Sequence, residues 1–561
     1  MNRVKEIKEL IRQEVLAALS RAEKAGQLPA GEPPAFAIDA PRDKNHGDFA
    51  VNIAMIMAKA AGKAPRVIAQ IILDHFAKEL DWLDKLEIAG PGFLNFYLTP
   101  GYFHPVLTAI LAEDQAYGSS DFGGGRKVQI EFVSANPTGL LHMGNARGAA
   151  LGDSLGNVLS AAGFFVSREY YINDAGNQIE NFGKSLEARY LELLGEKVVF
   201  PEDGYQGEDI TETAKLILER EGDRFLHIES SLRREFMIQA GLQEKLSAIR
   251  RSLENFGVHY DVWFSEQSLH DKGKIQETVN ILGEKNLLCE KDGALWLKAT
   301  AFGDEKDEVM VRASGVPTYF AGDIAYHRDK FERGFQTLID IWGADHHGHV
   351  ARMKGAMGAL GYNPDDLEVI LMQLVRLLRG DELVRMSKRS GQYITLDELM
   401  EEVGRDAARF FFVMRSADSQ MDFDLNLAKS QSSENPVYYV QYAHARIHSL
   451  LKMASEGAGG SNQPWSQADL SRLIHPAELE LIRKLADLPE EIIQAAIDRE
   501  PHRLPRYAMD LAALYHSFYT ECRCLVEDMP LRQARLLLSD ATRIVLRNVL
   551  QLIGVSAPER M

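Results

Sequence analysis

An α/β protein built on a parallel sheet, with a small α+β unit before it and an all-helical unit after it, is the fold this sequence predicts. Three observations predict it. Strand-like and helix-like segments alternate from residue 127 to about residue 392, the pattern of a parallel sheet covered by helices. Residues 1–120 mix one long amphipathic helix with short strand-like runs broken by glycine and proline. Beyond Leu396 the apolar spacing turns helical almost throughout.

The first unit opens with a helix over 4–24, followed by the break LPAGEPP. AFAIDAP then reads as a strand, DFAVNIAMIMAKAAG and PRVIAQIILDHFAKEL as helices, and LEIAGPGFLNFYL as two strands around a Gly-Pro-Gly turn. YGSSDFGGGRK reads as a flexible linker, and its GGG lacks the G-K-[ST] of a P-loop. The second unit, 121–395, starts with the buried strand KVQIEFV, a loop, a helix over 146–162 with Leu151, Leu155, Val158 and Leu159 at helical spacing, a stop at Gly163 and the strand FFVSREYYI. A polar, helix-rich stretch near 200–256 reads as an insertion. The third unit, 396–561, is a run of helices interrupted by EGAGGSNQPWS.

At 561 residues the chain is too long for one core, and its 45% hydrophobic and 26% charged content is that of an ordinary soluble protein. No apolar run approaches membrane-spanning length and the N-terminus carries no signal-peptide core, so the expected location is cytoplasmic. Cys289, Cys522 and Cys524 form no disulfide framework or zinc knuckle and read as unpaired thiols. The net charge of −18 speaks against a general nucleic-acid binder. Basic residues are nevertheless concentrated locally: Arg376, Arg379, Arg385, Lys388 and Arg389 in one stretch, and Arg532, Arg535, Arg543 and Arg547 along a C-terminal helix. These are either restricted anion-binding surfaces or solvated helix faces.

The most informative segment is SANPTGLLHMGNARGAALGD, residues 134–153. It sets His142, Gly144 and Asn145 at the mouth of a helix directly after a strand. There the unpaired N–H groups and dipole favour phosphate, and glycine lets a nucleotide lie against the backbone.

With Pro137 and Gly139, this segment resembles the HIGH signature of class I aminoacyl-tRNA synthetases in the form carried by arginyl-tRNA synthetases. EFVSANPTG with YYINDAGNQ, TYFAGDIAYH, WGADHHGHVARMKGA and VRMSKRSGQYITLDEL resemble further stretches of that family. So do GPGFLNF near the start, and DAARFFFV and NPVYYVQYAHARI near the end, so the resemblance spans nearly the whole chain. It implies a Rossmann-like catalytic domain, an N-terminal domain contacting the tRNA elbow and a C-terminal anticodon-binding domain. The implied activity is an arginine–tRNA ligase. ATP and L-arginine would give enzyme-bound arginyl adenylate and pyrophosphate, and the arginyl group would pass to the 3′-terminal ribose of tRNA(Arg), releasing AMP. Magnesium is expected with the ATP, held mostly by phosphates. No structural metal is expected, because the adjacent histidines of GADHHGH point apart. A monomer is the family default.

Residue by residue, the resemblance gives catalytic roles to His142, Gly144, Asn145 and Lys388. ATP contacts fall to Pro137, Gly139, His142, Asn145, Arg385, Met386, Ser387, Lys388 and Arg389. His142 would touch a phosphate or bridging oxygen, and Lys388 with Arg385 and Arg389 would neutralise departing pyrophosphate. Arginine would be held by Glu131, Tyr319 and Asp323 at its guanidinium, which suits a bidentate acceptor, and by Ser134, Asn136 and His346 at its other end. Tyr319 and Asp323 share a face if TYFAGDIAYH is helical. Asn145 stands where the signature has its second histidine, so its amide is expected to keep the hydrogen bond while Arg147 supplies some of the lost positive potential. Tyr438, Tyr442 and Arg446, with Tyr439 and His444, offer stacking and phosphate contacts to RNA, or else form bundle core. Two rival readings remain from the residues: a small-molecule nucleotidyltransferase, and an RNA-binding protein without catalysis.

Overall fold

The computed structural model describes residues 2–41, 43–302, 306–380, 382–384, 394–456, 465 and 467–561. In the first unit α1 (Arg3–Lys24) buries Ile7, Ile11, Val15 and Leu19, one stripe of its 3.6-residue repeat. Behind it lie β1 (Ile38–Asp39), β2 (Phe49–Val51), α2 (Ile53–Ala61), α3 (Pro65–Asp74), β3 (Leu83–Ala89), β4 (Phe93–Leu98) and α4 (Pro105–Glu113). The sheet runs β1-β2-β4-β3, antiparallel throughout. The expected helix over DFAVNIAM is corrected: Phe49–Val51 is strand, because it finds β4 as a partner and pairs Phe49 with Phe96.

The expected flexible linker is also corrected. Ser120 N–H donates to Ala161, Gly123 N–H to Ala162 and Gly125 N–H to Gly163, which docks the glycine turn on the end of the following helix. A Cβ at Gly123 would lie 2.5 Å from the Phe164 nitrogen, so the glycine serves close approach, not freedom.

The second unit contains β5 (Lys127–Glu131), α5 (Met143–Ala161), β6 (Phe165–Ile172), α6 (Asn177–Leu193), α7 (Glu208–Glu221), α8 (Ser230–Asn255) and β7 (Val262–Ser265). It continues through α9 (Gln267–Asp271), α10 (Lys274–Glu284), β8 (Leu288–Lys291), β9 (Ala294–Leu297), β10 (Glu308–Val311), α11 (Tyr319–Glu332), β11 (Thr337–Gly343), α12 (His347–Leu360) and β12 (Leu367–Met372). Among the described residues the central sheet has five strands in the order β12-β11-β5-β6-β7, each neighbouring pair parallel. The strand order reverses between β5 and β11, and in such sheets ligands bind in the crevice beyond the carboxyl ends of those two strands. β8, β9 and β10 form a separate antiparallel sheet that precedes α11. The helices α7 and α8 occupy the stretch expected to be an insertion and enclose, with α6, a small core of their own around Phe182, Leu186 and Met237.

The remainder holds β13 (Val375–Arg379), β14 (Glu382–Leu383), α13 (Leu396–Val403), α14 (Arg405–Val413), β15 (Met421–Asp424), α15 (Leu425–Lys429), α16 (Pro436–Glu456), α17 (Pro476–Ala486), α18 (Leu488–Asp498), α19 (Arg503–Glu521) and α20 (Met529–Leu552). α5 is buried on nearly every side because it lies between the central sheet and these helices. A Cβ at Gly152 would come within 2.2 Å of the Phe132 ring, so only glycine permits that approach to the sheet. Asp153 of α5 holds the buried guanidinium of Arg409 at 2.5 Å, and Arg409 also donates to the carbonyls of Phe256 and Ile553. The signature helix is thereby tied to the end of the last helix.

Candidate functional site

Directly after β5 the backbone is strained. Val133 has φ 68° and Ser134 φ 39°. A β-branched residue at positive φ costs on the order of 1–3 kcal/mol and persists only where its surroundings hold it. Here the Ser134 hydroxyl donates to Glu131 at 2.9 Å and accepts from the Tyr171 N–H at 3.1 Å. The hydroxyls of Tyr260 and Tyr170 donate to the carbonyls of Phe132 and Ala135 at 3.1 and 2.9 Å. Pro137 is buried, Gly139 half-buried and Asn136 exposed along the run toward α5.

His142 is the N-cap of α5. Its Nδ1 accepts from Gly144 N–H at 3.1 Å, while its own N–H donates to Asn145 Oδ1 at 3.0 Å, a reciprocal capping box. A neutral imidazole whose Nδ1 accepts carries its proton on Nε2. Any side chain at 144 would meet the His142 ring at 3.0 Å, which explains the glycine. Asn145 thus fastens the histidine through its carbonyl and keeps its NH₂ for other acceptors.

Arg147 does not do what the sequence reading expected. Its side chain is wholly buried and donates to the carbonyls of Gln373, Ser416 and Ser419 at 2.8, 2.8 and 3.0 Å. Burial lowers its pKa to about 10. Its donors are committed to carbonyls far away in sequence and do not reach the end of the helix where Asn145 stands.

Arg385, Met386, Ser387, Lys388 and Arg389 lie outside the described residues. From Ile394 to Leu396 the chain runs antiparallel to the signature. Thr395 bridges His142, Met143 N–H donates to Ile394, and Leu396 N–H donates to Leu141.

On the other side of the crevice α11 begins at Thr318, whose hydroxyl caps the Ala321 N–H, and puts Tyr319 and Asp323 on one face. Tyr319 is half exposed, and Asp323 lies 3.3 Å from His349. Gly176, at φ 81°, lets the NDAG turn approach: a Cβ there would stand 3.1 Å from the Tyr319 hydroxyl. The sequence reading missed Glu266. It follows β7 directly, at a strand's carboxyl end, and that position was the available signal. Glu266 is buried, and burial, followed by the nearby Asp323 carboxylate, pushes its pKa up to about 7. A Cβ at Gly322 would be 3.8 Å from its Oε1, so the carboxyl sits against the first turn of α11. Among the described residues no lysine or arginine pairs with Glu266 or with Asp323.

Glu131 is different. Its oxygens take Lys330 Nζ at 2.6 Å and the Ser134 hydroxyl at 2.9 Å. The carboxylate expected at the guanidinium is thus already held by an internal ammonium, next to the loop that carries Ser134. Of the residues expected at the opposite end of arginine, Ser134 commits its hydroxyl to this loop, Asn136 stays exposed, and His346 stands exposed in the turn after β11.

At the helical end the rings of Tyr438 and Tyr442 are parallel within 8° at 6.3 Å, and Arg446 lies over Tyr519 at 4.2 Å. Tyr442, Arg446, Lys452 and Arg560 border an open groove of about 580 Å³. Of the two alternatives for His444 the core is the one found: it is buried with Nδ1 2.8 Å from the Pro558 carbonyl, and burial lowers its pKa. Tyr439 turns to His516, with ring centroids 5.0 Å apart. Most of the C-terminal arginines are half-buried and paired, with Arg535 on Glu478 at 2.7 Å, Arg543 on Asp540 at 2.6 Å and Arg547 on Asp114 at 2.7 Å. Arg376 and Arg379 pair with Asp422 and Glu402.

Three family models match the chain in succession. The family described as "Arginyl tRNA synthetase N terminal domain" matches residues 5–98, "tRNA synthetases class I (R), catalytic domain" matches 106–433, and "DALR anticodon binding domain" matches 440–561. The chain is 62% identical over 564 residues to an arginine–tRNA ligase of Heliobacterium modesticaldum, covering 100% of both, and 59% identical to that of Moorella thermoacetica, again over 100% of both. Among solved structures it resembles a putative arginyl-tRNA synthetase from Campylobacter jejuni with TM-score 0.76 and 34% identity, over 83% of this chain and 100% of that one. The fold of Thermus thermophilus arginyl-tRNA synthetase matches with TM-score 0.73 at 23% identity, over 98% of this chain and 100% of that one.

Proposed function

The chain belongs to the arginyl-tRNA synthetases of class I, an aminoacyl-tRNA ligase family, and from that premise we infer how its residues join arginine to tRNA(Arg). An oxygen of the arginine carboxylate attacks the α-phosphorus of ATP, the α–β bridging bond breaks, and pyrophosphate leaves. A terminal ribose hydroxyl of the tRNA then attacks the arginyl carbonyl, AMP leaves, and the hydroxyl proton is lost to solvent or to the departing phosphate. Neither step needs a strong protein base. What the residues supply is position and complementary charge.

His142 donates from Nε2 to a phosphate or bridging oxygen, and the Asn145 amide donates beside it at the end of α5. Pro137 and Gly139 let the nucleotide lie close to the backbone. Lys388, with Arg385, Met386, Ser387 and Arg389, takes the pyrophosphate by resemblance to the family loop. Magnesium accompanies the ATP through its phosphates. Glu266 joins Tyr319 and Asp323 as a reader of the guanidinium, and Ser134, Asn136 and His346 face the amino acid's reacting end. Tyr438, Tyr442 and Arg446 receive unpaired bases of the tRNA. The units are taken as 1–120, 121–395 and 396–561, and the protein is taken as a cytoplasmic monomer. Among the described residues no helix is long and apolar enough to cross a membrane.

One observation carries the reading: two neighbouring carboxylates, Glu266 and Asp323, sit at the start of α11 on the crevice, and among the described residues neither is paired with a lysine or arginine. A bidentate planar cation is the ligand that such a pair accepts. The test is charging of tRNA by the purified protein with each amino acid in turn. Arginine alone is expected to be joined, and charging with another amino acid, or none with arginine, overturns the reading.

A further inference from the structure

We propose that Lys330 is a positioning residue for this reaction, holding the strained loop at 133–134 and the Asp323 turn of α11 at the separation that adenylate formation needs. The inference rests on the reading of these two segments as opposite ends of one substrate site.

Lys330 is fully buried, with Nζ 2.6 Å from Glu131 and 2.8 Å from Asp340. Those carboxylates are register partners on β5 and β11, the two strands at which the sheet reverses. From each of them a short route leads to the site. Glu131 accepts from the Ser134 hydroxyl, and that hydroxyl holds the Tyr171 N–H, so this route fixes the loop at positive φ. Asp340 lies 2.7 Å from His327 Nε2, and His327 Nδ1 lies 2.7 Å from the Asp323 carbonyl, so the second route ends at the guanidinium reader. One ammonium group stands where the two routes meet.

Stability alone does not call for this arrangement, because well-packed apolar residues replace buried ion clusters at little or no loss. An apolar side chain at 330 would hold α11 on the sheet but would reach neither Ser134 nor Asp323. With the rung removed, each end of arginine still meets its own contacts while the reacting carboxylate and the α-phosphorus fall out of line.

Lys330→Met alone strands two carboxylates in the interior, so the deciding variant is the charge-neutral Lys330→Met/Glu131→Gln/Asp340→Asn, with folding checked by thermal melting. Arginine-dependent ATP–pyrophosphate exchange, with tRNA present, is expected to lose roughly 10- to 100-fold in kcat while the arginine KM moves by less than about fivefold. Lys330→Arg, which keeps a donor for both carboxylates, is expected to recover most of that kcat. A folded triple variant with the wild-type kcat overturns the proposal, as does a triple variant that fails to fold or a Lys330→Arg variant as impaired as the triple. Failure of the wild-type protein to charge arginine would instead overturn the functional reading.

Discussion

Two groups of carboxylates gather at α11, one on the central sheet and one at the first turns of the helix, and they have opposite fates. Asp340, Glu131 and Glu169 stand in register across three neighbouring strands, and each is met by a cation from the helix. Lys330 bridges the first two, and Arg333 grips Glu169 through both oxygens, with the Tyr326 hydroxyl as a further donor. Burial pushes the Asp340 carboxyl upward, but Lys330 and His327 outweigh it and hold it down to about 2. Among the described residues no lysine or arginine meets Glu266 or Asp323, whose neighbour is His349, and the Glu266 carboxyl is pushed up to about 7. Carboxylates met by a lysine or arginine build a scaffold, whereas those without one are suited to a positive ligand. One residue type serves both purposes, and the difference is the cation that the fold does or does not deliver.

That contrast is sharpest at Asp323. Asp323→Asn is expected to lower arginine-dependent kcat/KM by about 10³- to 10⁴-fold, because the site then meets the guanidinium with an amide. Its melting temperature should stay near wild type, since the side chain is 39% exposed. A charging assay with a parallel melt checks both halves, and an equal loss of stability would erase the distinction between scaffold and reader.

Asp340→Ala should show the reverse. It leaves Lys330 with one partner in a dry interior and is expected to cost roughly 3–5 kcal/mol of stability, read from the urea midpoint.

Glu266→Gln tests the price of keeping a carboxylate unpaired. A folded pKa raised above the ordinary glutamate value means that the native state holds its proton longer than the unfolded chain. The ligand-free protein therefore loses stability as pH rises from about 4.5 to about 7, and is level above that. At pH 8 Glu266→Gln is expected to stabilise the ligand-free protein by about 2–3 kcal/mol while weakening arginine binding. In the wild type the arginine KM should rise as pH falls below about 7, where Glu266 takes up its proton, and the variant should lose that rise. The smallest effect is expected at Asn145. Asn145→Ala frees the His142 N–H and should cost about 0.5–1 kcal/mol in a denaturant titration, with kcat down by roughly tenfold.

Much of this was legible locally. The strand, loop, helix and strand around His142 appear where the apolar spacing put them, and α11 starts so that Tyr319 and Asp323 share a face, because capping and helical period are properties of about ten neighbouring residues. Phe49–Val51 was read as helix because its strand character depends on β4, more than forty residues on. The glycines at 123–125 look like a linker in sequence, yet their N–H groups are bonded to the end of α5. Arg147 and His444 carry side chains suited to a ligand, but carbonyls at 373, 416, 419 and 558 had already claimed them.

By itself, then, the sequence determined the family, the alternation that makes a parallel sheet, the phosphate-facing end of α5 and the identity of most groups in the crevice. Those properties are written in side-chain type and short-range spacing. Only the tertiary structure decided which charges are spent and which are available: Lys330 reaches Glu131 from 199 residues away, while no lysine or arginine comes to Glu266 among the described residues. Pairing in the interior depends on which distant strands and helices meet, and local propensity carries no record of that.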